Sequence, residues 1–167
     1  FTSGSTGNPN AVKVMHKNIV ANTRSIVEYL QLDASDKIMA ILPFHYCFGT
    51  SLLHTHLHIG GTVVINNQFL YTETILDDME NFECTGFAGV PTVYQRLMKR
   101  STFTKREFKH LRHMQQAGGR LSPTIIEDVV KAHPDKRFYV MYGQTEATAR
   151  LTYLPPEMTL KKPNSIG

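Results

Sequence analysis

Two cysteines, Cys47 and Cys84, are all that 167 residues contain, and two thiols in a chain of this size make no disulfide framework. A reducing compartment is the default, and the cytoplasm is the expected location. No apolar run approaches the roughly 18 residues that a bilayer requires, and no secretory leader is visible, so a soluble chain without a membrane span is expected. An excess of one charge is also missing, since 18 Lys and Arg against 14 Asp and Glu leave a net charge of only +4. The basic residues are scattered apart from Lys99-Arg100 and Lys105-Arg106, with no aromatic-interleaved basic stripe, which argues against a nucleic-acid partner. The P-loop pattern Gly-x4-Gly-Lys-Ser/Thr and the serine-hydrolase elbow Gly-x-Ser-x-Gly are both absent. So are internal repeats and low-complexity segments. What remains is 41% hydrophobic, enough for one compact core and one domain.

Short apolar runs alternate with helical patterns, the signature of βα units around a largely parallel sheet. Strands are expected at Val12–Met15, Lys37–Leu42, Thr62–Ile65, Gly86–Ala88, Met114–Gln116 and Phe138–Met141. The stripe Ile19, Val20, Ile26, Val27 and Leu30 predicts a helix with Asn18 as its N-cap. Further helices are expected over Thr50–Ile59, closed by Gly60-Gly61, over Thr72–Phe82, from Pro91 to Lys99, and from Ser122-Pro123 to Ala132.

Two stretches carry chemistry. Phe1-Thr2-Ser3-Gly4-Ser5-Thr6-Gly7, running on through Asn8-Pro9-Asn10, packs two glycines and four hydroxyls into seven residues. Glycine lets the backbone turn N–H groups toward one point, and hydroxyls donate around it, as a polyphosphate requires. Alone, the same residues read equally well as a solvated turn. Far along the chain, Tyr142-Gly143-Gln144-Thr145-Glu146 follows the apolar run Phe138–Met141. It sets an aromatic, a glycine, a hydroxyl and a carboxylate at the C-terminal end of a strand, where open α/β sheets gather ligands. An aromatic stacks on a base, a threonine reaches a phosphate, and a glutamate holds Mg²⁺.

Together the two stretches resemble the adenylate-forming, AMP-binding enzymes: acyl-CoA synthetases, luciferases and adenylation domains. That family carries Tyr-Thr-Ser-Gly-Thr-Thr-Gly-x-Pro-Lys-Gly-Val and Tyr-Gly-x-Thr-Glu, which stand here as Phe1 to Val12 and Tyr142 to Glu146. The resemblance implies that Thr2, Ser3, Gly4, Ser5, Thr6 and Gly7 cradle the β- and γ-phosphates of ATP. It implies that Tyr142 packs on adenine beside Gly143 and Gln144, that Thr145 touches the α-phosphate, and that Glu146 binds Mg²⁺. Ala117-Gly118-Gly119, otherwise a plain strand-to-helix turn, becomes a platform for the nucleotide and the substrate carboxylate. Pro43-Phe44-His45-Tyr46-Cys47-Phe48-Gly49, otherwise a packed loop, becomes a wall of the acid pocket with His45 and Tyr46, and Val90 and Gly118 border the same pocket.

The implied reaction is ATP-dependent activation of a small carboxylic acid through an acyl-adenylate, followed by transfer to CoA or to the phosphopantetheine of a carrier protein. A non-catalytic nucleotide-binding module is the alternative. It is suggested by a departure from the family pattern: the lysine after the loop proline is Asn10 here, and the next glycine is Ala11. A lost charge-assisted contact of that kind costs about 1.5–3 kcal/mol. The chain lacks an initiator Met, and the phosphate loop begins at residue 1. Residues 1–167 are therefore expected to be a fragment of the family's N-terminal domain, inactive alone, with the C-terminal subdomain and its catalytic lysine lying later. His54, His56 and His58 would share a face on a strand and could hold zinc, but the helical flanks make them diverge. Cys47 beside His45 lacks a third group to orient a base, which disfavours a cysteine nucleophile.

Overall fold

The structure is a computed structural model that describes Thr2 and residues 10–68 and 70–167. Among them lie six strands: β1 (Lys37–Ala40), β2 (Thr62–Ile65), β3 (Gly86–Gly89), β4 (His113–Gln116), β5 (Arg137–Gln144) and β6 (Ala149–Leu154). Helices α1 (His16–Leu30), α2 (Cys47–Ile59), α3 (Thr72–Asn81), α4 (Pro91–Arg100) and α5 (Pro123–Ala132) complete the framework. The strands form one sheet in the order β2-β1-β3-β4-β5-β6. β1 to β5 are parallel, and β6 runs antiparallel to β5.

The alternation of side chains along the strands builds two cores. Ile38, Ala40, Tyr139 and Met141 meet Ile26 and Leu30 of α1 and Phe48 and Leu52 of α2. Met39, Phe87, Met114 and Phe138 meet Ile75 and Leu76 of α3, Tyr94 and Leu97 of α4, and Ile126 and Val129 of α5. Both faces of the parallel sheet are covered, so its strands read as continuous apolar runs rather than as alternating patterns. The connection from β1 leads outward to β2, and the next crosses back to β3. The order therefore reverses between β1 and β3, the place where such sheets bind ligands outside their C-terminal ends.

Several expectations need correction. Residues 11–15 are not a strand; they approach α1 as irregular backbone. Met15 is the N-cap of α1, and Asn18 sits one turn inside, its Oδ1 accepting from the Met15 N–H at 3.1 Å. The side chain thus satisfies the helix start from position N3 rather than from the cap itself. Helix α2 begins at Cys47, three residues before the expected Thr50. Gly49 permits this, because a Cβ there would overlap the carbonyl oxygen of Pro43 and come 2.9 Å from that of Leu42. β5 continues through Gln144 rather than ending at Met141, and β6 was not foreseen.

At the opposite edge, Asp36 is buried at the base of three strands. Its carboxylate accepts from the Asp33 N–H at 2.9 Å, from the Thr85 hydroxyl and from the Arg112 guanidinium. Burial opposes the charge, and these donors outweigh it, so the carboxyl titrates below its usual range. His113 lies 3.9 Å from the same carboxylate, and its burial pushes the imidazole down to about 3. Burial lowers His56 and His133 as well. The unfolded chain takes up these protons below about pH 6.5, whereas the folded chain refuses them, so stability present at neutral pH is lost on acidification. His113 alone should make the fold about 2 kcal/mol less stable at pH 5 than at pH 7, at about 1.4 kcal/mol per pH unit below 6.5. Urea unfolding at the two pH values measures this, and a flat profile would show that His113 is charged in the folded state.

Among the described residues, no helix is long and apolar enough to cross a membrane.

Candidate functional site

The C-terminal ends of β1, β3, β4 and β5 deliver the segments 43–47, 90, 117–119 and 142–146 to one edge of the sheet. Two cavities open there. The first, about 510 Å³, is lined by Gln116, Gly118, Gly119, Tyr142, Gly143 and the segment Pro163–Ile166, among others. The second, about 210 Å³, lies between α1, α2 and the β5–β6 connection. Its walls include Asn22, His45, Cys47, Ser51, His54 and Thr145.

In the first cavity, Tyr142 is 43% exposed, which leaves its ring free to take a flat ligand against one face. Gly118 adopts φ +84, a left-handed conformation that a side chain rarely tolerates, and a Cβ on it would come 3.1 Å from Val90. That packing seats Val90 directly behind the glycine platform. Ala117, by contrast, is buried in the core of the α1 and α2 face and turns away from the cavity. Gln116 was not singled out from the sequence. Its Nε2 donates to the Gly119 carbonyl at 2.8 Å, while its buried Oε1 has no partner. A buried acceptor without a donor is costly, and this oxygen lies behind the cavity wall with almost no open surface. The only signal in the sequence was its position just before the Ala117-Gly118-Gly119 turn.

Gly143 stands at a bulge between β5 and β6. A Cβ there would run into the Ala149 carbonyl oxygen, so the two strands meet only because residue 143 has no side chain. The tight crossing turns the chain through a short 3-10 helix, Thr145–Ala147, with Thr148 left-handed at φ 64. Thr145 then faces the smaller cavity. Glu146 is exposed and lines a third opening with Lys13, Val14 and Asn18. Its carboxylate has no hydrogen-bond or ion-pair partner among the described residues. Gln144 is exposed, and its Oε1 receives a long 3.4 Å contact from the Tyr142 hydroxyl.

The phosphate-loop residues Ser3 to Gly7 lie outside the described residues. At the margins of that loop, the Thr2 N–H donates to the Asn10 carbonyl at 2.9 Å. The chain leaving the loop runs past Glu146 and Thr145, since Lys13 and Val14 share cavities with them. His45 lines the smaller cavity with its ring 4.3 Å from that of Tyr46, which is largely exposed. The acid-pocket residues are therefore divided, with His45 in one cavity and Gly118 in the other. His54, His56 and His58 sit on α2: His54 lines the smaller cavity, His56 is buried with Nδ1 2.9 Å from the Leu52 carbonyl, and His58 faces outward. No cluster of three metal-type ligands occurs among the described residues.

The AMP-binding enzyme family model matches residues 1–167, and the chain belongs to that family. It is 28% identical over 179 residues to the mitochondrial medium-chain acyl-CoA ligase ACSF2 of Rattus norvegicus, a match that covers all of this chain and 28% of the ligase. o-Succinylbenzoate coenzyme A synthetase of Bacillus subtilis, solved in complex with ATP and magnesium ion, superposes with a TM-score of 0.88 at 25% identity over 99% of this chain and 34% of that one. The same enzyme with its acyl-adenylate intermediate gives 0.88 over 99% of this chain and 33% of that one, also at 25% identity. The chain thus spans about a third or less of the length of these relatives.

Proposed function

We propose that the protein activates a small carboxylic acid with ATP, releasing pyrophosphate and forming an acyl-adenylate, and then passes the acyl group to a thiol. CoA is the thiol that the names of its relatives suggest, and a carrier phosphopantetheine is the other acceptor of the same chemistry. The observation that carries this reading is the meeting of Tyr142, Thr145, Glu146 and the end of the loop segment at one edge of the sheet.

In this reading the base lies in the larger cavity, against Tyr142 and the Gly118-Gly119 turn. Thr145 directs its hydroxyl at the α-phosphate, where the acid carboxylate attacks in line and pyrophosphate departs. The residues Thr2 to Gly7 supply the donors that meet charge moving onto the leaving phosphates. Mg²⁺ is a hard cation bound through one or two carboxylates plus phosphate oxygens, and Glu146, exposed and without a partner among the described residues, fits that donor set. When bound, it would neutralise charge on the phosphates. His45 walls the acid side.

Lys13 bears on the departure at Asn10, because it lines the opening that holds Glu146 and brings a cation to the site from three residues further on. Asn10→Lys in the full-length protein should therefore change adenylation by less than about three-fold. A gain of ten-fold or more, worth about 1.4 kcal/mol per decade, would identify Asn10 as a lesion. Pyrophosphate release by the full-length protein across a panel of acids tests the reading as a whole. ATP binding with no turnover on any acid would favour the non-catalytic module.

A further inference from the structure

Arg150, the second residue of β6, is only 6% exposed, and every partner it has is neutral. Nε donates to Ser51 Oγ at 3.0 Å, and Nη1 donates to Gln115 Oε1 at 2.7 Å. Nη1 also lies 3.9 Å from the Met141 sulfur, and the guanidinium carbon sits 5.0 Å from the centre of the Phe48 ring. Nη2 has no hydrogen-bond partner among the described residues. Among the described residues, no carboxylate comes within ion-pair distance of Arg150, although the chain pairs other arginines closely. Arg106 is held by Glu73, Asp77 and Glu80, and Arg112 is held by Asp36.

Arginine keeps its charge in any protein environment. A buried charge without a counter-ion is expensive, and an apolar side chain of similar length would fill the same space at less cost. The charge is therefore poorly explained by packing. Its position is informative. Arg150 pairs with Gly143 across the β5–β6 ladder, which places it beside the turn that carries Thr145. Ser51, its hydrogen-bond partner, and Ala149, its chain neighbour, both line the cavity of about 210 Å³ that also holds Thr145 and His45. Ser51 thus belongs at once to the cavity wall and to the guanidinium, which stands behind that wall and does not itself line the cavity. The Ser51 hydroxyl accepts from Arg150 and donates to the Phe48 carbonyl at 2.7 Å. That volume falls below the roughly 300–1,000 Å³ of drug-sized sites and suits a short acid.

We propose that the acid activated here carries a second anionic group, which sits against Ser51 and is held by the Arg150 charge directly behind it. The proposal rests on the acid-activating reading above and names its substrate class: a short dicarboxylate or an acid of equivalent charge. One carboxylate lies beside Thr145 and reacts, and the other supplies the counter-ion that Arg150 lacks. A monocarboxylate of matched length would leave the buried charge unpaired, the situation in which a polar site discriminates most strongly.

The test uses the full-length protein with matched pairs such as succinate and butyrate, or glutarate and valerate. Pyrophosphate release gives kcat/KM, and calorimetry gives binding of the same acids in the presence of a non-hydrolysable ATP analogue. The wild type should prefer the diacid by at least about a hundred-fold, and Arg150→Met should bring the ratio toward unity. Arg150→Lys, which keeps the charge, should hold an intermediate ratio and serves if the Met variant unfolds. An equal fall for both acids in Arg150→Met, or a wild-type preference for the monoacid, would show a purely structural arginine and overturn the proposal. Diacid-selective binding that Arg150→Met abolishes, in a protein that turns over no acid, would uphold the charge site while sinking acid activation. Absence of diacid-selective binding overturns the proposal whatever the turnover.

Discussion

Replacing Gly143 by alanine should cost about 3 kcal/mol or more of stability, an effect in the range reserved for direct backbone conflicts. The added methyl would strike the carbonyl oxygen of Ala149, which is main chain and has no rotamer to escape into. Either β5 and β6 separate or the bulge between Tyr142 and Gly143 is lost. Both outcomes move Thr145 and Glu146, because the hairpin connection hangs from this crossing. Thermal unfolding of the variant should show the loss, and ATP affinity of the full-length protein should fall with it. A variant that keeps its melting temperature and binds ATP normally would mean that the crossing relaxes cheaply and that Gly143 does not set the geometry of the turn.

Glu146→Gln should lower magnesium-dependent turnover of the full-length protein by at least about a hundred-fold, the order seen when one electrostatic stabiliser is removed from a reacting site. The substitution keeps shape and removes charge. Glu146 is exposed and has no partner among the described residues, so the fold should not notice, and unfolding should be unchanged within about 0.5 kcal/mol. The magnesium concentration needed for half-maximal rate should rise as well, because a neutral amide is a poor ligand for a hard cation. Unaltered turnover and unaltered magnesium dependence would remove Glu146 from the metal site.

Much of this architecture was legible because a parallel sheet covered on both faces needs unbroken apolar strands separated by amphipathic helices. β2, β3 and β4 lie within a residue of their expected bounds, and Gly60 closes α2 in the left-handed conformation. The failures have physical reasons. Val12 to Met15 looks like a strand by composition, yet no strand among the described residues offers it a ladder, and β propensity outside a sheet means little. Ala149-Arg150-Leu151-Thr152-Tyr153-Leu154 was missed because it holds a buried arginine and is entered through two successive positive-φ non-glycine residues, Thr148 and its own first residue Ala149, which no composition rule flags. At the site, Tyr142, Gly143, Thr145 and Glu146 were visible because they form a contiguous motif. Gln116, Lys13 and Arg150 were not, since each gains meaning only from what the fold sets beside it.

The knot around Asp36 has a consequence for how such a protein can change. The Thr85 N–H donates to the Lys37 carbonyl and the Lys37 N–H to the Thr85 hydroxyl, and Arg112 and Arg137 continue the line across β3, β4 and β5, all at the N-terminal edge of the sheet. The candidate-site segments leave from the other edge, a strand's length away. Anchorage and chemistry thus occupy opposite rims of one layer. Loops at the working rim can be exchanged, lengthened or recharged while the anchored rim keeps the strands in register, so new substrates can be tried without first loosening the fold. Amide exchange should record the same division, slowest around residues 36–38 and 113–115 and fastest in the turns beyond 117 and 144.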